Sequence, residues 1–231
     1  MPQASTGVGE RLKFSAMADA PSARFRAQIL DAFSDHAARL GWTGAAFEAA
    51  VKDAGLDPGE AALACTRGAD DLIDAFAERA DSAMLAALED LDLASMRYSQ
   101  RVKAAVQVRL EAQAPYKETA RAMTRALAAR ARAGQAARLL WRTADHIWRA
   151  LGDTSTDENY YSKRAILCAV LGSTYARWFS DDSPGHEDTW AFLDARIANV
   201  MQFEKFKARL KPLSEGVQSA VGVAARLRYG R

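Results

Sequence analysis

The chain has 231 residues, a formal net charge of +2 and 49% hydrophobic residues, enough to bury a sizeable core as one large domain or two small ones. Its two cysteines, Cys65 and Cys168, lie far apart without framework spacing, which excludes a disulfide scaffold and points to reduced thiols. No apolar run is long enough to span a bilayer, and no apolar signal core opens the chain. Glu10 and Asp19 speak against a mitochondrial transit peptide, so the expected location is the cytoplasm. Alanine, leucine and arginine dominate, and no run of alternating β-branched residues stands out. The predicted fold class is all-α.

Residues 1–22 read as a disordered N-terminus closed by Pro21. A first helix is predicted over Ser22–Leu40, with Phe25, Ile29, Phe33, Ala37 and Leu40 as its apolar stripe and Gly41 as its stop. Thr43 caps a short second helix carrying Phe47, Ala50 and Val51 inward. Gly55, Asp57 and Pro58 turn the chain into a third short helix near 58–65. A long helix, Ala69–Leu91, then places Leu72, Ile73, Phe76, Ala80, Met84, Ala87 and Leu88 on one face.

One helix, a short helix–turn–helix pair and a long helix, over 23–91, resemble the N-terminal part of a tetracycline-repressor (TetR) type regulator. That resemblance implies a DNA-reading third helix. Residues 43–80, however, carry eight acids against three bases, a net of −5, where a phosphate-binding face needs positive charge. The third helix, Asp57–Cys65, has no Arg, Lys, Asn or Gln with which to read bases. The expectation is a degenerate helix–turn–helix and no nucleic-acid partner.

Residues 92–210 read as a second helical region. A fifth helix spans Ser95–Gln113, with Met96, Val102, Val106 and Leu110 inward. Pro115 opens the sixth, where Met123 and Leu127 point inward and Arg121, Arg125, Arg130 and Arg132 make a basic outer side. Residues 133–135 read as a connection. The next helix carries Leu140, Ala144, Ile147 and Leu151 at helical spacing, with Trp141 and Trp148 beside them, and Gly152 stops it. After the elbow Gly152–Asp157, Ser155 and Glu158 stand in capping-box spacing ahead of a helix from about Thr156. Asn159, Tyr160 and Tyr161 sit in its first turn, followed by Lys163 and Arg164. Such aromatics beside a polar elbow suit a recognition surface; the alternative is packing on the neighbouring helix. Asp153 and Asp157 are explained as caps. Ser183-Pro184 signals a further helix start, with Trp190, Leu193, Ile197, Val200 and Met201 as core or a dimer seam.

Residues 203–231 hold seven bases against two acids, a net of +5, and Pro212 breaks the helix. Beyond it, over 211–231, Leu213, Val217, Val221 and Leu227 recur at helical spacing, joined by Arg226 and Arg228. A basic, modestly apolar helix reads as a membrane-surface segment or as a tail packed on the body.

The stretch WRTADHIWRALGDTSTDENYYSKRA, followed by DDSPGHEDTWAFLDARI, resembles the coenzyme Q biosynthesis protein nine family. The likeness is strongest over 137–205 and looser over 24–136. Where that family commonly reads D-F-N-W-Y after the elbow, this chain has Asp157-Glu158-Asn159-Tyr160-Tyr161, a more polar surface. The resemblance implies a bacterial, TetR-like homodimer at the inner face of the membrane, docked there by its terminal amphipathic helix. It implies binding of an isoprenoid quinone precursor and its presentation to a demethoxyubiquinone hydroxylase. The expected partner contacts are Asp157, Asn159, Tyr160, Tyr161 and Arg164. Val106, Leu110, Leu140, Ile147, Ile166, Val170, Leu171 and Trp178 are the expected lipid-binding residues, since each buried methylene of a tail is worth about 0.8 kcal/mol.

Catalytic motifs are missing from the sequence. The three histidines, His36, His146 and His186, form no Glu-x-x-His or His-Glu-x-x-His pattern, and neither cysteine has zinc spacing. No nucleophile elbow, phosphate loop or dinucleotide fingerprint occurs. The expectation is a non-catalytic protein without a cofactor. A ligand-responsive regulator requires a basic reading face, and a hydroxylase requires an iron ligand set.

Overall fold

The computed structural model describes residues 20–156 and 158–202. Asp157, the Arg130 side chain and the C-terminal positions Leu213, Val217, Val221, Arg226, Leu227 and Arg228 lie outside the described residues, as do residues 1–19 of the N-terminal stretch. Every regular element among the described residues is helical, with no strand, as the composition predicts. The chain divides into two compact units, Met1–Cys168 and Ala169–Arg231.

The first unit opens with α1 (Pro21–Leu40), whose proline occupies the first turn where its missing N–H costs nothing. Ile29, Phe33 and Ala37 are buried as their spacing predicts, but Leu40 is 51% exposed. The reason is Gly41, whose left-handed φ of 73° swings the chain so that Trp42 takes the inward place. The Trp42 ring packs edge-on against Phe33 (4.8 Å) and Phe76 (5.8 Å), and its Nε1 donates to the Ala69 carbonyl at 2.7 Å.

Thr43 caps α2 (Gly44–Asp53) as expected, accepting from the Ala46 amide at 3.2 Å. Asp57 and Glu60 form a reciprocal capping box on α3 (Pro58–Ala64). The surface of α3 offers an exposed Leu63 and no cation, which leaves the degenerate reading of this unit in place. The long helix α4 (Ala69–Glu89) buries Leu72, Ile73, Phe76, Ala80, Met84 and Leu88.

Three boundaries differ from expectation. Asp92 caps a 3-10 turn, Leu93–Ser95, so α5 (Tyr98–Glu111) starts three residues late and Met96 is only half-buried. Pro115 sits in another such turn, Ala114–Tyr116, ahead of α6 (Lys117–Leu127). Residues 133–135 form no connection: α7 (Ala133–Ala150) begins there, with Gly134 inside its first turn. Thr119 of α6 donates to the Ser34 carbonyl of α1 at 2.7 Å, which joins helices 85 residues apart.

Charge is unevenly divided along this unit. Residues 43–92 carry twelve acids against three bases, and residues 97–142 carry eleven bases against two acids. The two groups meet across the helix contacts. Arg132 pairs with Asp70 and Arg138 with Asp74 at the surface. Deeper, Asp81 of α4, 1% exposed, accepts from Arg109 Nε at 2.7 Å and Thr143 Oγ1 at 2.8 Å through one oxygen. Its other oxygen faces His146 Nδ1 and Arg142 Nε, each at 3.4 Å. Burial by itself would raise the Asp81 carboxyl, but hydrogen bonding and the Arg109 charge hold it below the usual carboxylate range. His146 thus sits beside a buried carboxylate rather than serving only its own helix.

The second unit contains the later part of α8 (Glu158–Phe179) and a helix α9 described from 187 to 202. Ser183-Pro184 does not start α9 directly. Pro184–His186 is a 3-10 turn in which Gly185 and His186 both take left-handed φ, 60° and 59°. The true cap is Asp181, buried between these elements: it accepts from Ser183 N and Oγ and from Thr189 N and Oγ1. Those donors hold its carboxyl far below the usual range against the opposing effect of burial. Leu193 is buried on α9, Trp190, Ile197 and Val200 are half-buried, and Met201 is exposed.

Candidate functional site

The site is the elbow between α7 and α8, within the first unit. Helix α7 closes where Gly152 takes φ 79° and the Asp153 amide returns to the Trp148 carbonyl at 2.9 Å. That closure places the Asp153 carboxylate in the bend. It accepts from Lys163 Nζ at 2.6 Å, Ser155 Oγ at 2.9 Å and Arg164 at 3.3 Å. Ser155 is drawn into this network, also accepting from Lys163 at 2.8 Å, in place of its expected role in a capping box. Asp153 is likewise an ion-pair centre rather than a simple cap. Burial opposes its ionisation, but hydrogen bonds from Lys163 and Ser155, with the Lys163 charge, keep its carboxyl below the usual range.

Arg164 ties the two helices together. Its Nε donates to Asp145 of α7 at 2.7 Å, and its NH1 reaches both Asp153 and the Tyr160 carbonyl. The guanidinium carbon lies 3.5 Å from the centroid of the Tyr160 ring, a cation–π contact. Arg164 is only 2% exposed, which corrects the expectation that it faces a partner. It is a bidentate brace, the role a planar guanidinium between two carboxylates fills best.

The brace fixes an aromatic surface. Tyr160 is half-buried over Arg164, and its hydroxyl donates to Asp145 at 3.3 Å. Tyr161 is 65% exposed and meets Tyr160 edge-on, ring centroids 5.1 Å apart. Trp141, half-buried, lies 6.2 Å from Tyr161 and 6.5 Å from Tyr160. Asn159 is exposed beside them. Tyr98 stacks on Trp148 at 5.6 Å, with the Lys163 ammonium 5.8 Å from the Trp148 ring.

Sequence reasoning named Tyr160, Tyr161 and Asn159 for this surface and did not name Trp141, Asp145 and Lys163, which the structure places beside them. The signal was available in part: Trp141, Asp145 and Trp148 stand at positions i, i+4 and i+7, one face of one helix. The expected lipid-binding residues fall in both units. In the first, Val106, Leu110 and Ile147 are fully buried and Leu140 and Ile166 half-buried. In the second, Val170, Leu171 and Trp178 are buried. Among the described residues, no helix is long and apolar enough to cross a membrane.

The fold defines a TetR-like helical protein: a solved TetR transcriptional regulator from Nitrosomonas europaea superposes with a TM-score of 0.63. That likeness, at 23% identity, covers 75% of this chain and 95% of the regulator, and concerns the fold alone. The elbow narrows the class, because the COQ9 family model matches residues 133–204. The ubiquinone biosynthesis protein COQ9 of rat mitochondria is 30% identical over 209 residues, 87% of this chain and 67% of the relative. The human counterpart is also 30% identical, with 65% of its length covered, and a probable Dictyostelium discoideum counterpart is 26% identical over 186 residues. The chain belongs to the COQ9 family and spans about two thirds of the length of the rat and human proteins.

Proposed function

We propose that this protein is a non-catalytic accessory protein of ubiquinone biosynthesis. It binds an isoprenoid quinone intermediate and presents it to a demethoxyubiquinone hydroxylase. The named role of its relatives supports the pathway. The observation that carries the presenting role is the aromatic elbow: Tyr161 and Trp141 stand at the surface on a bend held by two half-buried carboxylates and the buried Arg164. Rigid, amphipathic aromatics on a braced support suit a protein partner, because little side-chain freedom is lost on binding.

The lipid is held by apolar side chains within a unit, drawn from Val106, Leu110, Leu140, Ile147 and Ile166 of the first and Val170, Leu171 and Trp178 of the second. Each methylene of a tail buried there contributes about 0.8 kcal/mol. The protein works as a homodimer on the cytoplasmic face of a bacterial membrane, where its basic C-terminal segment holds it beside the dissolved substrate. A regulator reading of the TetR-like fold is opposed by the cation-free α3 and by the acidic excess around it.

Two experiments test this reading. Mass spectrometry of organic extracts should find a polyisoprenoid quinone or precursor enriched over a mock purification. Ordinary phospholipid alone would remove the quinone assignment. Capture of the purified hydroxylase should weaken at least tenfold in Tyr161→Ala with the melting temperature nearly unchanged; undiminished capture would remove the elbow from the interface.

A further inference from the structure

The elbow pairs its bases with only part of its acids. Residues 145–164 carry four acids, Asp145, Asp153, Asp157 and Glu158, against three bases. Arg149 pairs with Asp145 at 2.8 Å, Lys163 with Asp153 at 2.6 Å, and Arg164 with both. Glu158 stands outside this network. It is exposed in the first turn of α8, and Ser155, its expected capping partner, is held by Asp153 and Lys163 instead. Among the described residues, no ion pair or side-chain hydrogen bond takes up the Glu158 carboxylate. Tyr161 follows at i+3, so the carboxylate and the ring share one helix face. That ring stays 65% exposed beside Tyr160 and Trp141.

The neighbouring tyrosine shows what such a pair holds. Asp145 and the Tyr160 ring grip the Arg164 guanidinium, the carboxylate at 2.7 Å and the ring centroid at 3.5 Å. A planar guanidinium serves both at once, donating from its edge to an acid and lying by its face on a ring. Glu158 and Tyr161 present an acid and a tyrosine ring again, this time at the surface.

We propose that Glu158 and Tyr161 form a receptor for an arginine side chain of the protein partner, and that this pair sets which partner surface the elbow accepts. The inference rests on the presenting role proposed above: the partner is the hydroxylase, and it carries an arginine where it covers the elbow. Charge selects the occupant. Glu158 repels an anionic headgroup or an acidic peptide, and an apolar side chain seated there would leave the carboxylate away from water without a partner. A lysine neutralises the charge, but its ammonium lacks the flat face that lies on a ring while its edge meets an acid. Arginine is also enriched, with tyrosine, among the anchors of protein interfaces.

Capture of the purified hydroxylase by the full-length protein is measured over a range of salt. Glu158→Gln is compared with Glu89→Gln, which removes one exposed acid at the end of α4. Glu158→Gln should weaken capture roughly fivefold to tenfold at low salt and flatten its salt dependence, and the control should stay within about twofold of wild type. Each exposed arginine of the hydroxylase is then changed to glutamate in turn. One such variant should lose capture by the wild-type chain and regain it with Glu158→Arg. Undiminished capture by Glu158→Gln, equal losses in the two variants, or the absence of any rescuing pair would overturn the receptor. A carboxylate in the first turn also favours the helix itself, so melting temperatures are recorded, and a loss of capture that tracks a loss of stability would overturn the receptor too. Tyr161→Ala separates the two levels of failure. Lost capture there beside intact capture in Glu158→Gln removes the receptor and leaves the elbow interface. Intact capture in both removes the elbow interface as well, and a wild-type chain that captures no hydroxylase removes the presenting role and the receptor together.

Discussion

Two charged centres meet α7 at adjacent residues and do different work. One is the Asp81–Arg109 pair, with Thr143 and His146, deep among α4, α5 and α7. The other is Asp145 and Asp153 around Arg164 at the elbow. The first is enclosed by the packing of three helices and holds that packing in one arrangement. The second is enclosed on one side only and holds aromatic side chains in place on the other. Adjacent residues, Asp145 and His146, serve the two centres. Similar ion-pair chemistry becomes a matter of stability or of recognition according to what lies on its open side.

The contrast is sharpest under mutation. Arg109→Ala leaves Asp81 buried without its main counter-charge, so it should cost about 3–5 kcal/mol in denaturant unfolding. Replacing both partners with apolar residues of similar volume should recover most of that loss. Arg164→Ala should cost less, about 2–3 kcal/mol, because Lys163 still serves Asp153 and Asp145 is nearer to solvent. Its larger consequence should be at the surface, where Tyr160 loses its support and hydroxylase capture falls. If Arg164→Ala left capture intact, the brace would be structural and the two centres would not differ in kind.

Acid should affect both centres in the same direction. Asp81 and Asp153 have folded-state pKa values depressed below those of the unfolded chain. The stability they contribute is therefore fully present above the usual carboxylate range and lost as pH falls through their folded values. Thermal unfolding should show a plateau near neutrality and a decline below about pH 4, which Asp153→Asn makes shallower. The smallest expected change in stability is for Trp141→Ala or Tyr161→Ala, within about 1 kcal/mol, because neither ring is fully buried. A greater loss would place those rings in the core and end their assignment to a partner surface.

Much of the fold was legible because it rests on local rules. Apolar spacing located α1, α4 and α7, and the signals at Thr43 and Asp57-Pro58 located α2 and α3. Misplaced boundaries fell where the backbone forms a 3-10 turn: Leu93–Ser95, Ala114–Tyr116 and Pro184–His186. At the site, the tyrosines could be read from their position after the elbow. Arg164 could not, because its partners come from nineteen and eleven residues away and only the fold brings them together. The acidic excess was legible as opposition to DNA, but not as the counterpart of the arginines in α7 and before it.

The division of charge has a further consequence. A chain with a net charge of only +2 feels little overall attraction to a charged surface. With acids concentrated over 43–92 and bases over 97–142, its first unit nevertheless closes much of that division on itself, Arg132 on Asp70 and Arg138 on Asp74. Salt screens those surface pairs over about a Debye length, roughly 8–10 Å at ordinary ionic strength, while the buried Asp81–Arg109 pair is screened far less. Rising ionic strength therefore loosens the rim of the contact between the acidic and basic helices before its centre.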